Sequence, residues 1–109
     1  MFKINPSPTF KAFVSLTVPG QEAPGAVSFT FRHQGRAALD TWIKAASDKT
    51  DAALLGAVIS GWEGVSDQDD LPLAYSADNL GLLLDAYPAA GGEIFMGYLK
   101  ALTESRAKN

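Results

Sequence analysis

Side chains that ionise, coordinate or attack are few in this chain, and they fall in unhelpful patterns. Of 109 residues, one is histidine, none is cysteine and 12 are Asp or Glu. Without a thiol, disulfides, thiolate metal sites and cysteine nucleophiles are all excluded. His33 would need carboxylates to complete a metal site, and none stands near it at ligand spacing. Its place between Arg32 and Gly35 fits a strand end or turn.

Asp67-Gln68-Asp69 looks like the opening of a calcium loop. Counting on, Leu71 stands where the third ligand belongs, Pro72 where glycine makes the sharp turn, and Asp78 at the last ligand position. A solvated acidic turn explains the segment better. Any two of the 12 carboxylates could meet as an acid–base pair, so their number discriminates nothing. No glycine-rich phosphate loop occurs, and Ser60-Gly61 lacks the preceding glycine of a nucleophile elbow. The expectation is a protein that is not an enzyme and needs neither metal nor cofactor.

The composition, 47% hydrophobic and 19% charged, is that of a globular chain. A chain this long forms one domain, burying about two thirds of its unfolded surface. The N-terminus lacks an apolar export region and is interrupted by Pro6 and Pro8. Residues 52–59, the longest apolar run, fall far short of the ~20 needed to cross a bilayer. A soluble protein is expected, and the absence of cysteine is compatible with a reducing cytoplasm. Net charge is −3, but residues 1–50 carry +3 and residues 51–109 carry −6. The acidic half disfavours a nucleic-acid binder, and the densest basic stretch holds only Arg32 and Arg36. Ordinary surface charge explains the asymmetry, as does a basic partner or head-to-tail self-association.

The elements that must carry any site follow from periodicity. Phe10, Ala12, Val14, Leu16 and Val18 alternate with Lys11, Ser15 and Thr17, Phe13 being the large apolar exception on the polar side. Val27, Phe29 and Phe31 alternate with Ser28, Thr30 and Arg32. Both runs predict strands buried on one face, joined by a Pro- and Gly-bearing turn into a hairpin over residues 9–33. The hairpin's open edges invite pairing with another subunit.

After Gly35 the period becomes helical. Leu39, Trp42, Ile43 and Ala46 mark a first helix. Leu54, Leu55, Val58, Ile59 and Trp62 mark a second, capped by Asp48 or Thr50 and ending near Gly61. Residues 65–75 read as loop or short extended chain. Ser76 caps a third helix with Leu80, Leu83, Leu84 and Tyr87, although Asn79 leaves its capping box incomplete. Pro88 breaks it and starts a fourth, with Ile94, Phe95, Tyr98, Leu99 and Leu102 on one face. Gly91, Gly92 and Gly97 each cost about 1 kcal/mol in a helix interior, so packing must hold this helix or glycine must permit a close contact. The predicted fold is α+β and predominantly helical: a single domain over residues 1–104 with a hairpin, a helical part at 36–104 and a frayed polar tail at 105–109.

Trp42 belongs to a helical stripe and is expected in the core. Trp62, between Gly61 and Glu63-Gly64 at a helix end, is expected to be half-exposed, either packed or serving as an interface anchor. With Val65, Leu71, Leu73 and Tyr75 it makes the candidate partner-binding set, the alternative being that these residues seal the loop onto the core.

Gly61-Trp62-Glu63-Gly64-Val65, the acidic turn, Leu71-Pro72-Leu73, Tyr75 and Ser76-Ala77-Asp78-Asn79-Leu80 together resemble the tail assembly chaperones of long-tailed phages and prophages. Leu82-Leu83-Leu84-Asp85-Ala86-Tyr87-Pro88, Tyr98-Leu99 and the polar tail extend the resemblance over roughly half the chain. It implies a chaperone in the host bacterial cytoplasm that binds the tape-measure protein, helps recruit tail-tube protein and leaves before the tail is finished. A form lengthened by ribosomal frameshifting is also implied, and Ala107-Lys108-Asn109 can be encoded by codons containing a slippery run of A. A minor tail or connector protein retained in the virion is the competing reading.

Overall fold

Alternation builds the first two strands where it predicts them. In the computed structural model, β1 (Thr9–Leu16) and β2 (Gly25–Arg32) pair antiparallel from Thr9↔Arg32 to Leu16↔Gly25. Residues 1–104 are described; the tail at 105–109, with the expected fraying and the frameshift signal, lies outside them. Between the strands, the Gln21 amide donates to the Val18 carbonyl at 3.1 Å, and Gly20 takes φ of 82°. Proline followed by a positive-φ glycine is the signature of a type II turn.

A helix was expected through residue 60, but the chain does something else. Helix α1 (Arg36–Lys44), a 3₁₀ turn (Ala46–Asp48) and a short helix α2 (Asp51–Gly56) precede a third strand, β3 (Ile59–Glu63). Strand β3 pairs antiparallel with β2, giving the sheet order β1-β2-β3. Helix α2 therefore ends at Gly56 rather than near Gly61. The reason is a β-bulge: Phe31 faces Ile59 while Thr30 faces Gly61, leaving Ser60 as the extra residue. The bulge sets the two inward residues, Ile59 and Trp62, three apart, a spacing that imitates a helical stripe. With 40% helix and 22% strand the fold is α+β, and "predominantly helical" overstates it.

Helices α3 (Ala77–Ala86) and α4 (Ala90–Thr103) complete the chain. The Thr50 hydroxyl accepts from the Ala53 amide at 3.2 Å and the Ser76 hydroxyl from the Asn79 amide at 3.0 Å, capping α2 and α3. Asn79 donates its side-chain amide to the Ala74 carbonyl at 2.9 Å, so it fixes the helix entry in another way. Pro88 lies in the turn before α4, which begins two residues later than expected.

One face of the sheet is covered and the other is open. Ala12, Val14, Leu16, Val27, Phe29, Phe31, Ile59 and Trp62 are buried, whereas Lys11, Ser15, Ala26, Arg32 and Glu63 face solvent. Phe13, on the open face, stays 67% exposed. Helix α4 lies over β1, close enough that a Cβ on Gly97 would come within 2.8 Å of Val14 Cγ2. Gly91 likewise leaves room for the Asp51 carboxylate. These are the close contacts for which the glycines give up helix propensity. Tyr98 anchors α4: its ring lies 5.0 Å from Phe31 and 5.2 Å from Trp42, and its hydroxyl donates to the Arg32 carbonyl at 2.7 Å. Trp42 is in the core as expected, stacked on Phe95 at 5.1 Å, with Nε1 donating to the Leu54 carbonyl at 2.9 Å.

Candidate partner-binding surface

Strand β3 puts Trp62 inside rather than at a half-exposed helix end. It lies opposite Phe29 in the sheet, is 8% exposed, and meets the Tyr75 ring edge-on at 5.1 Å. Its Nε1 donates to the Leu73 carbonyl at 2.8 Å, so the indole ties the following loop to the sheet. The Leu73 amide donates to the Val65 carbonyl at 2.9 Å, and Ser66 bridges Pro72. The loop thus folds back as a small hairpin. Val65, Leu73 and Tyr75 pack half-buried against the core. Burial pushes the Tyr75 phenol above its ordinary value, and the Arg32 charge pulls part of that rise back. Leu71, at the hairpin tip, is 60% exposed. The structure therefore joins Trp62, Val65, Leu73 and Tyr75 in one packed cluster and turns Leu71 away from it.

The acidic turn has its own internal logic. Asp67 Oδ1 accepts from the Asp69 amide at 2.8 Å and the Leu71 amide at 3.0 Å, while Asp70 takes the left-handed φ of 60°. Aspartate is among the few residues besides glycine that enter the left-handed region readily, so Asp70 suits that position. Among the described residues no group of His, Cys, Asp or Glu gathers to hold a metal ion. His33 stands at the end of β2, its amide donating to the Pro8 carbonyl at 2.9 Å. Tyr98, pushed up to about 12 by burial, is committed to the Arg32 carbonyl. Among the described residues, no His, Cys, Asp and Glu side chains converge on one site.

What does converge is apolar surface. A groove of about 210 Å³ opens where the end of the β1–β2 hairpin meets the chain after β3 and the end of α3. Leu16, Val18, Val27, Val65, Leu83 and Tyr87 line it. The family model of phage tail assembly chaperones matches residues 1–109, the whole chain. This protein belongs to the phage tail assembly chaperone family. No curated protein and no solved structure matches it.

Among the candidate contact residues of this tail assembly chaperone, only Val65 lines the groove. The sequence does not single out Leu16, Val18, Leu83 and Tyr87 as groove residues because they obey the periodicity of core positions. One signal was available. Leu82-Leu83-Leu84 is too wide for one helical stripe, so a leucine must face outward. Leu82 does, at 64% exposure. No helix of the chaperone, among the described residues, is long and apolar enough to cross a membrane.

Proposed function

We propose that this chaperone works without catalysis in the host bacterial cytoplasm, binding the tape-measure protein, helping to recruit tail-tube subunits, and leaving before the virion is complete. The observation that carries this reading is family membership over the whole chain. The surface is compatible with it: Leu71 and Leu82 stay exposed and a largely apolar groove is open, and such features suit a protein client rather than a small substrate. Within the candidate set, Val65 and Leu71 are the direct contacts, while Trp62, Leu73 and Tyr75 hold the loop that presents them.

Co-expression tests the proposal. Tape-measure protein made alone should sediment, and with the chaperone it should stay soluble and co-purify. Leu71→Asp changes an exposed side chain, so it should reduce recovery of the soluble complex on the order of tenfold without shifting the melting temperature. Tail-tube protein added to the complex should be retained. Tape-measure protein equally insoluble with and without the chaperone refutes the reading, and mass spectrometry finding the chain in purified virions points to a structural tail component.

A further inference from the structure

The sheet has two edges, and they are not alike. Strand β3 is short, Ile59–Glu63, and pairs with β2 through a bulge, and both features blunt an edge. Strand β1 is 8 residues long, pairs with β2 in unbroken register and holds no proline. Its one charged residue, Lys11, has its ammonium drawn across the sheet to Glu63 at 3.0 Å.

Three hydrogen bonds fix which way the β1 amides point. The His33 amide donates to the Pro8 carbonyl at 2.9 Å, so Pro8 and its alternates Phe10, Ala12, Val14 and Leu16 face β2. The Arg32 amide, opposite Thr9, turns away from β1 to the Val58 carbonyl at 2.7 Å. The Thr17 amide turns outward and donates to Glu93 Oε1 at 2.8 Å, while its hydroxyl donates to Oε2 at 2.6 Å. Thr9, Lys11, Phe13 and Ser15 share the parity of Thr17, so their amides and carbonyls line the outer edge. Among the described residues none of these amides has a partner. Residues 1–8 are exposed and leave the edge uncovered. The open length runs from Thr9 to Ser15, stopped by Pro6 and Pro8 at one end and by the Glu93 carboxylate at the other.

We propose that this edge takes an extended segment of a protein partner, about seven residues long, as a fourth strand. A row of donors and acceptors repeating every second residue is matched by another extended backbone. The added strand would also lie beside Phe13, whose 67% exposed ring would gain a cross-strand neighbour. A second copy of the chain fits poorly, because α4 lies over β1 rather than β2. Two β1 edges joined about a two-fold axis put both α4 helices on the same face, about one strand spacing or ~5 Å apart. Packed helices need about 8–10 Å. The inference deepens the client-binding reading and rests on it only for the partner's identity as a tail protein.

The test uses the full chain, isotope-labelled for NMR, and two peptides of about nine residues that alternate threonine and valine between terminal lysines. One is N-methylated at every second residue, which leaves a single edge free to pair; the other is N-methylated throughout. Their side chains are identical, so only the backbone distinguishes them. In the chain alone, the Thr9, Lys11, Phe13 and Ser15 amides should exchange faster than those of Phe10, Ala12, Val14 and Leu16. The half-methylated peptide at saturation should slow the outer set on the order of tenfold or more, and the fully methylated one should slow none. Phe13→Pro removes a central outer donor and keeps every bond to β2, so it should weaken the half-methylated peptide on the order of tenfold. A urea curve shows whether that variant is folded, and the peptide pair on wild type decides without it. Equal binding of the two peptides, or full affinity in folded Phe13→Pro, overturns the proposal. So does outer-set protection of the chain alone that grows with its concentration, because a second copy then holds the edge. Tape-measure or tail-tube protein that co-purifies yet leaves the outer amides unprotected overturns the edge assignment and leaves client binding standing. If neither co-purifies while the half-methylated peptide protects the edge, the client reading falls and the docking strand stands.

Discussion

Replacing Trp62 separates a packing role from a contact role. The side chain is 8% exposed, 6.3 Å from the Phe29 ring and 5.1 Å from Tyr75, and its Nε1 donates to the Leu73 carbonyl at 2.8 Å. Truncating a buried tryptophan to alanine costs about 3–5 kcal/mol, and a carbonyl left buried without its donor adds about 1 kcal/mol or more. Folding stability of such chains is about 0.05–0.15 kcal/mol per residue. Trp62→Ala should therefore remove from about a quarter to nearly all of the total. Trp62→Phe is the sharper probe, since it keeps an aromatic ring and deletes the donor. It should cost about 1–2 kcal/mol, lowering the melting temperature by about 4–8 °C. Urea unfolding at fixed slope gives the stability change. Co-purification of tape-measure protein, normalised to the folded fraction, gives the effect on the client. Both variants should lose client binding only as far as they lose folded protein. A Trp62→Phe chain with an unmoved urea midpoint and a lost client would refute this reasoning and make the indole a contact residue.

Two further substitutions test the packing of the helices. Gly81→Ala lies within α3, where an added Cβ meets nothing within 4 Å, so it should gain about 1 kcal/mol of helix propensity and raise the melting temperature by about 4 °C. Gly97→Ala gains the same propensity but places Cβ 2.8 Å from Val14 Cγ2 and 3.2 Å from Cγ1. Overpacking of about 1–3 kcal/mol should cancel or outweigh the gain, and a stabilised Gly97→Ala chain would show that α4 does not approach β1 so closely. Alkaline unfolding tests Tyr98. Its phenol is raised from 10.0 to about 12 in the fold, so its contribution is complete below pH 10 and drains away as pH rises towards 12. Urea midpoints should fall over that window, and Tyr98→Phe should flatten the fall while lowering the neutral-pH midpoint through loss of the bond to Arg32. Tyr75, raised in the same direction, leaves some slope behind.

Local rules were legible wherever one residue type had one physical use. Alternation of Phe10 to Leu16 and of Val27 to Phe31 marked both strands of the hairpin because one face is buried and the other wet. Ser76, and Thr50 as one of two candidates beside Asp48, were legible as caps because their oxygens satisfy amides the helix leaves free. Of the two uses the sequence leaves open for the α4 glycines, close contact holds at Gly91 and Gly97, whereas a Cβ at Gly92 would meet nothing within 4 Å. The third strand was illegible for a reason that can be stated. Its bulge at Ser60 breaks the two-residue period, and the preceding Leu54-Leu55 and Val58 extend a helical pattern across the boundary. Local periodicity cannot show that β2 has a free side waiting for a partner strand.

That misreading matters for function, because it decides which apolar residues are available to a client. As a helix-end residue, Trp62 would head the contact surface; as a strand residue it lies under the loop, with Leu73 and Tyr75 packed around it. Among the large apolar side chains left exposed are Leu71 on the tip and Leu82 on α3, as are Phe13 on the open sheet face, Ile43 and Met96, and Val18, Val65, Leu83 and Tyr87 wall the groove. Aliphatic contacts of this kind are individually weak and poorly directional, so by themselves they would hold any greasy segment, including a neighbouring chaperone.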